Sequence, residues 1–241
     1  MSEGNLVRIN KFLSEIGYCS RRAADTLVEE GRVKVNGVVA VMGAKITPDD
    51  VVMVDDKLVT RPKEDFVYIA FNKPVGVVCT TDIDNEKDNI IDYINHPQRI
   101  FPIGRLDKLS EGLILLTSDG DIVNKILRSK NNHEKEYIVT VDKELTSEMI
   151  RQMGAGVKIL GERTKPCYIK QEAPRRFRII LKQGLNRQIR RMCAEFGYKV
   201  KTLKRIRIMH ITLGNLVTGK WRYLTQPEIV QLEKTLSNAS N

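Results

Sequence analysis

FPIGRLDKLSEGLILLTSDGD, residues 101–121, is the stretch that decides how the chain folds. Leu113 to Leu116 is an apolar run the length of one buried strand, and Thr117-Ser118-Asp119-Gly120 ends it with a turn or helix-start signal. Ahead of the strand, Gly104-Arg105-Leu106-Asp107 and Ser110-Glu111-Gly112 form a Gly-flanked loop. Asp107 is therefore a carboxylate in a loop that enters the core, with the cation Arg105 two positions before it. Such a loop suits a catalytic group, because a rigid scaffold fixes its position. Residue types alone leave a second reading, a salt-bridged structural Asp. The rest of the chain has to choose.

The 241 residues suggest one or two domains, and 41% hydrophobic with 29% charged residues is ordinary globular composition. The N-terminus, MSEGNLVRINKFLSEIG, has no apolar h-region, and charges interrupt every apolar run. The expectation is a cytoplasmic protein with no membrane partner. Cys19, Cys79, Cys167 and Cys193 form no CxxC pair, so reduced thiols are expected and a zinc site is not. His96, His133 and His210 lie far apart, which argues against metal or His-based catalysis.

The net charge of +10 points to a polyanionic partner. Its location says more than its size. Between Arg175 and Arg207 stand twelve basic residues and one acid, Glu195, a net of 12 − 1 = +11, so the remainder of the chain is about neutral. Charge gathered in one segment favours a nucleic-acid surface over a generic solvated face.

Residues 7–54 read as a small separate module. Val7, Phe12, Leu13 and Ile16 follow helical spacing, and Gly17 closes the helix. Ser20 caps a second helix, SRRAADTLVEEG, that Gly31 ends. Alternating residues around Asn36-Gly37 then predict a hairpin. Residues 55–65 read as a polar linker carrying Pro62, and residues 66–241 as the larger domain. There, strands are expected at Phe66–Phe71, Glu136–Val141, Pro166–Lys170, Phe177–Lys182 and Val200–Leu213. Helices are expected at Asn89–Ile94, from Asp119 or Gly120 to near Ser129, from Thr146, over the basic run NRQIRRMCAEFG, and from Thr225. Irregular interleaving of this kind argues for an α+β fold on a mixed sheet.

Four ordered stretches carry a resemblance. GRLDKLSEGLILLTSDG, KPVG at 73–76, the Lys135-Glu136-Tyr137 run, and GLNRQIRRM at 184–192 with Leu203 and the Arg205 to Ile208 region behind it resemble the motifs of one family. That family is the bacterial RNA pseudouridine synthases of the ribosomal small-subunit synthase A type. Details such as NKPVGVVCTT and HEKEYIVTVDK look closest to its large-subunit synthase F subtype. The run SRRAAD…EEGRVKVNG resembles the S4 RNA-binding domain, with Ala23 where a Glu is usual; that removes half of a capping box with Ser20.

The resemblance implies a mixed, mainly antiparallel sheet with a central cleft, preceded by an S4 domain. It implies isomerisation of a uridine to pseudouridine, with no cofactor and no metal, in a stem-loop of large-subunit ribosomal RNA and in some such enzymes also a transfer RNA loop. Asp107 would be the essential carboxylate, as nucleophile or as base at the ribose. Arg190 would pair with it, lower its pKa and fix its rotamer. Lysine can serve there in relatives, so charge rather than fork geometry is expected to matter. Tyr137 would stack on the target base, with Ile138 and Leu203 lining an apolar pocket. Arg105, Lys108, Arg187 and Arg191 would hold phosphates, and Leu106, Gln188 and Ile189 share those motifs. Arg8, Lys11, Arg21 and Arg22 would form a modest basic face on the S4 module. RNA is the expected partner and a monomer the expected state. Two rivals remain: a catalytically silent RNA-binding factor, and a glycosidase or nuclease, which would need a second carboxylate such as Glu111 or a metal site.

Overall fold

A computed structural model describes residues 6–60, 66–82, 85–127 and 133–238. The chain divides into two compact units, Met1–Phe66 with Ser118–Asp121, and Val67–Thr117 with Ile122–Asn241.

The first unit is built from β1 (Val7–Arg8), α1 (Ile9–Glu15), α2 (Arg21–Glu29), β2 (Val33–Val35), β3 (Val38–Val39), β4 (Lys45–Ile46), β5 (Val52–Val54) and β6 (Lys57–Leu58). Ser20 caps α2 by accepting from the Ala23 amide at 3.1 Å. The two helices bury Ile9, Leu13, Ala24 and Val28 against Val33, Ile46, Val52 and Val54. Asn36 and Gly37 take φ of 51° and 83°, the left-handed pair that a tight hairpin between β2 and β3 requires.

Two readings change here. Val7 and Arg8 do not belong to the first helix; they pair with β4, and Arg8 is the residue before α1. Part of the expected linker is also structured. Lys57 and Leu58 pair with Val54 and Met53 across Asp55 and Asp56, both at positive φ. The Asp-Asp turn lacks the glycine that marks most such hairpins, which is why the sequence hid it. Residues 61–65 lie outside the described residues.

The second unit begins with β7 (Tyr68–Lys73), α3 (Ile90–Ile94), β8 (Phe101–Ile103), β9 (Glu111–Thr117) and α4 (Gly120–Leu127). It continues with β10 (Lys135–Val141), α5 (Ser147–Gly154), β11 (Lys158–Ile159), β12 (Glu162–Arg163), β13 (Tyr168–Ala173) and β14 (Arg176–Leu181). It ends with α6 (Gln188–Glu195), β15 (Val200–Ile208), β16 (Ile211–Thr212), β17 (Trp221–Tyr223) and α7 (Gln226–Asn238). The main sheet runs β13-β14-β10-β15-β9-β7-β17, with β16 beside β15 and β8 beside β9.

Every pairing in that sheet is antiparallel except β15 with β9, which meet in parallel at Lys204↔Glu111 and Arg205↔Gly112. The two halves of the sheet join through this short seam. Gly112 makes it possible: at φ +103°, an added Cβ would stand 2.2 Å from the Arg205 carbonyl oxygen. β7 and β9 are buried on both faces, which the apolar runs Tyr68–Phe71 and Leu113–Leu116 anticipate; the buried Asn72 and Lys73 that end β7 read instead as a turn. Ala70, Leu113 and Leu115 face Ile122, Ile126, Leu232 and Leu236 of α4 and α7. Ile69, Phe71, Ile114 and Leu116 face Ile90 and Ile94 of α3. In the other half, α5 and α6 bury Met149, Met153, Ile189, Met192 and Cys193 against Val139, Phe177 and Ile179.

The β11–β12 hairpin escaped the sequence reading, its Leu160-Gly161 turn again being left-handed at both residues. The strand expected from Pro166 starts at Tyr168 and runs on to Ala173. The expected end of α4 near Ser129 lies outside the described residues.

Candidate active site

Asp107 sits in a loop that two other segments hold in place. Its own carbonyl accepts from the Ser110 amide at 2.9 Å, closing a turn. The Leu106 amide donates to Cys79 Sγ at 3.3 Å, and the Gly76 amide donates to the Lys108 carbonyl at 2.8 Å. The segment that supplies these contacts is itself clamped by Lys73. This lysine is fully buried, and its Nζ donates to the Pro74 and Val77 carbonyls at 2.8 and 2.7 Å. Burial pulls its ammonium below the ordinary lysine range, against the opposing pull of Asp107.

Arg190 reaches the loop from α6. Its Nη2 donates to the Leu109 carbonyl at 2.8 Å and to Ser110 Oγ at 3.3 Å, and its Nη1 to the Val200 carbonyl at 3.4 Å. Its Nε lies 3.8 Å from Asp107 Oδ2, an ion-pair contact too long for a hydrogen bond. The expected Asp107–Arg190 pair is thus present, but it differs from the expectation in kind. Arg190 uses its fork to brace the loop backbone and offers charge, not a hydrogen bond, to the carboxylate. Burial lowers the Arg190 pKa, and Asp107 opposes that shift. The Asp107 side chain keeps 37% of its surface exposed and is open to a ligand.

The loop forms one wall of a cleft of about 830 Å³, within the range of small-ligand sites. Arg105, Leu106, Asp107, Lys108, Tyr137, Arg187, Gln188, Ile189 and Leu203 all line it. Arg105, Lys108 and Arg187 are exposed, and Lys108 stands 3.5 Å from both Glu86 and Asp88. Gln188 is buried and structural as well: its Oε1 accepts from the Leu185 amide at 3.1 Å and so steadies the start of α6.

Two expected residues do not reach the cleft. Ile138 follows Tyr137 on a strand, and alternation turns it to the other face, opposite Arg178 and Lys204. Arg191 folds back on its own segment, donating to the Asn186 carbonyl at 3.0 Å and to Asn186 Oδ1 at 3.2 Å.

The basic segment is not the single surface its sequence suggested. Arg178 and Arg207 both pair with the buried Glu136, Arg178 also with Glu172 and Arg207 with Glu134. Arg176 is 3.6 Å from Glu172 and Lys182 3.8 Å from Glu134. With Arg190 beside Asp107, five of the segment's twelve cations pair with acids from outside it. Arg205 goes elsewhere again: it is 3% exposed, and its Cζ lies 6.0 Å from the Tyr137 ring centroid. A register shift explains the split. Tyr137 is opposite Arg205 while its neighbour Glu136 is opposite Arg207, so a bulge in β15 sends two arginines of equal parity to opposite faces.

Lys73, Cys79, Ser110, Lys135 and Arg205 are the site residues that sequence reasoning missed in these positions. Lys135 was legible by alternation with Tyr137. The others needed the tertiary contacts. In the first unit Arg8, Arg21 and Arg22 are exposed, whereas Lys11 is 3.0 Å from Glu15. Arg32 and Lys34 on the hairpin are matched by Glu30, Asp55 and Asp56. Among the described residues no group of three or more His, Cys, Asp and Glu could hold a metal, and no helix is long and apolar enough to cross a membrane.

Comparison with known proteins agrees with this geometry. Residues 67–195 match the family model of RNA pseudouridylate synthase, and residues 7–52 match that of the S4 domain. The chain is 58% identical over 236 residues to the dual-specificity RNA pseudouridine synthase RluF of Escherichia coli (strain CFT073), covering 98% of this chain and 81% of that protein. It is 35% identical over 242 residues to the ribosomal large subunit pseudouridine synthase B of Bacillus subtilis (strain 168), covering 97% and 98%. A crystal structure of a pseudouridylate synthase superposes with a TM-score of 0.69 at 31% identity, covering 94% of this chain and 99% of that one. With one model spanning more than half of the sequence and relatives alike along almost all of it, the chain belongs to the RNA pseudouridylate synthase family and carries an S4 domain.

Proposed function

We propose that this RNA pseudouridine synthase acts on a stem-loop of large-subunit ribosomal RNA and, as a second acceptor, on a transfer RNA loop. The names of its relatives support that choice, one being a dual-specificity enzyme and another a large-subunit enzyme. The cleft is lined by residues of one chain, which fits a monomer. The S4 module, extended to β6, serves as a tether for RNA, and the second unit does the chemistry.

The observation that carries the reading is Asp107: ionisable, partly open, and backed by a half-buried arginine in a cleft that also holds Tyr137. The target uridine leaves its stack, at a cost of a few kcal/mol, and lays its base against Tyr137. Arg105, Lys108 and Arg187 at the mouth hold the flanking phosphates. Asp107 then meets C1′ as a nucleophile, or takes a ribose proton as a base, while the N1–C1′ bond breaks. Arg190 fixes the loop so that the carboxylate is already in place. The uracil turns and rejoins through C5.

Asp107→Asn keeps the shape of the loop and removes the charge. It is expected to bind RNA normally and to lose turnover by about 10⁴-fold or more. Chemical mapping of pseudouridine in target RNA, beside a filter-binding measurement, reads both. Near-normal turnover in this variant would overturn the mechanism. A wild-type protein that binds RNA but forms no pseudouridine would instead favour the silent-factor reading.

A further inference from the structure

At the inner end of the cleft two cations stand without a carboxylate. Arg205 is almost fully buried; its Nε donates to the Leu113 carbonyl at 2.6 Å, while Nη2 has no hydrogen-bond partner among the described residues. Lys135 lies two positions before Tyr137 on β10, on the cleft side, and its Nζ has the His133 carbonyl at 3.4 Å as its hydrogen-bond acceptor. Among the described residues neither cation makes an ion pair. A guanidinium N–H buried without an acceptor is costly, and a cleft that keeps one is set up for a ligand atom that accepts. The walls around this end are apolar: Ile103, Leu115, Ile126 and Ile208 are core residues that also line the cleft. A planar base fits between such walls better than a hydrated phosphate, for which the exposed cations at the mouth are suited.

We propose that Arg205 and Lys135 form an electrostatic cradle for the detached uracil, binding its carbonyl oxygens and stabilising the negative charge it carries between bond cleavage and rejoining. The chemistry calls for such a group. When the N1–C1′ bond breaks, its electron pair stays on N1, and the resulting uracil anion spreads its charge to O2 and O4. C1′ is left electron-deficient, to be met by the Asp107 carboxylate or relieved by loss of a ribose proton to it. After the base turns, C5 supplies the electron pair for the new bond to C1′ as the Asp107 carboxylate leaves C1′ or returns its proton to the ribose; the C5 proton then leaves, N1 gains one, and the sum is an isomerisation. Preorganised donors aimed at charge that appears only during reaction lower the barrier without tightening ground-state binding. The register places them well, with Arg205 directly opposite Tyr137 and Lys135 one pleat along.

This inference rests on the assignment of the cleft as the uridine site, and its test separates the two. The experiment is single-turnover conversion of a stem-loop RNA by full-length enzyme at saturation, with RNA affinity measured in parallel. Lys135→Met is expected to slow conversion by about 100-fold at unchanged affinity, and Arg205→Lys, which keeps the charge but loses the second N–H, by a similar factor. Because Arg205 is buried, the Lys135 variants carry the decision. Burial, with Arg205 adding to it, holds the Lys135 ammonium below the ordinary lysine range. The titratable and charged groups around it are Arg205 on β15, Lys182 next to its β14 partner, His133 and Tyr137 on its own segment, and Asp107 across the cleft. The wild-type rate should therefore fall as pH rises through the lowered Lys135 pKa, and Lys135→Arg should recover part of the activity that Lys135→Met loses and move that fall to higher pH. Lys135→Met converting at the wild-type rate, or Lys135→Arg with an unchanged alkaline limb, would overturn the cradle. Turnover by Asp107→Asn would overturn the site itself.

Discussion

The loop from Gly104 to Ser110 and the basic segment from Arg175 to Arg207 treat charge in opposite ways. In the loop one carboxylate is exposed to the cleft while the backbone around it is held by Cys79, Gly76 and Arg190. Place in the sequence and place in the site coincide. In the segment, twelve cations that are neighbours in sequence separate into three environments. Arg187 lines the cleft mouth, Arg190 and Arg205 enter the interior, and Arg178 and Arg207 lie with Glu136 on the face turned away from Tyr137. A turn keeps consecutive residues together, whereas a strand deals them alternately to two faces. A count of charges along a strand therefore overstates the surface they make.

The largest effect that would sharpen this contrast is expected at Arg190. If it served Asp107 only as a counter-charge, lysine would replace it. The structure shows two nitrogens of the fork engaged with Leu109, Ser110 and Val200, which a single ammonium cannot reach together. Arg190→Met is expected to lower single-turnover conversion by about 10²–10³-fold, and Arg190→Lys to recover only part of it, with RNA affinity little changed in both. Full recovery by lysine would show that charge suffices and that the bracing is incidental.

A middle-sized effect separates cations of the same segment from one another. Arg187→Gln removes a phosphate-binding charge at the cleft mouth. Affinity for a stem-loop RNA should fall several-fold, and the slope of log affinity against log salt should shrink by about one. Arg178→Gln should leave both unchanged. Its cost should appear in stability instead, about 1–3 kcal/mol, because the buried Glu136 loses one of its two guanidinium partners. For a domain of this size that is a fall in melting temperature of roughly 2–10 °C. Equal losses of RNA affinity in the two variants would restore the single basic surface.

The legible parts of the fold are those whose signal is local. The unbroken apolar runs of β7 and β9 announced buried strands, Ser20 and Thr146 announced their helices by capping them, and Asn36-Gly37 announced its hairpin. Asp107 was legible because glycines and a buried strand frame it in sequence. Arg205 was not, because its role depends on a bulge in β15 that no local pattern marks; without the bulge it would share a face with Arg207. Ile138 was misplaced for the simpler reason that strand alternation was set aside for one residue. The β6 and β11–β12 hairpins turn on left-handed residues other than the Asn-Gly pair, so their turn chemistry gave no warning.

The smallest effect concerns the S4 module, where a basic segment and its role again have to be told apart. Arg21 and Arg22 open α2 behind the Ser20 cap and are exposed, as is Arg8 ahead of α1. Of the other module cations, Lys11, Arg32 and Lys34 already face Glu15, Glu30, Asp55 and Asp56, while Lys45 and Lys57 are exposed. Few charges are thus left to bind phosphate, and each exposed contact contributes modestly at physiological salt. Replacing Arg21 and Arg22 together with Gln should weaken RNA binding by a few-fold, leave single-turnover conversion at saturating enzyme unchanged, and leave the cap and the melting temperature in place. The conversion rate is the deciding measurement, because a tether raises the local concentration of substrate without touching the bond that breaks. A collapse of affinity in this variant would move the main grip on RNA from the cleft mouth to the module.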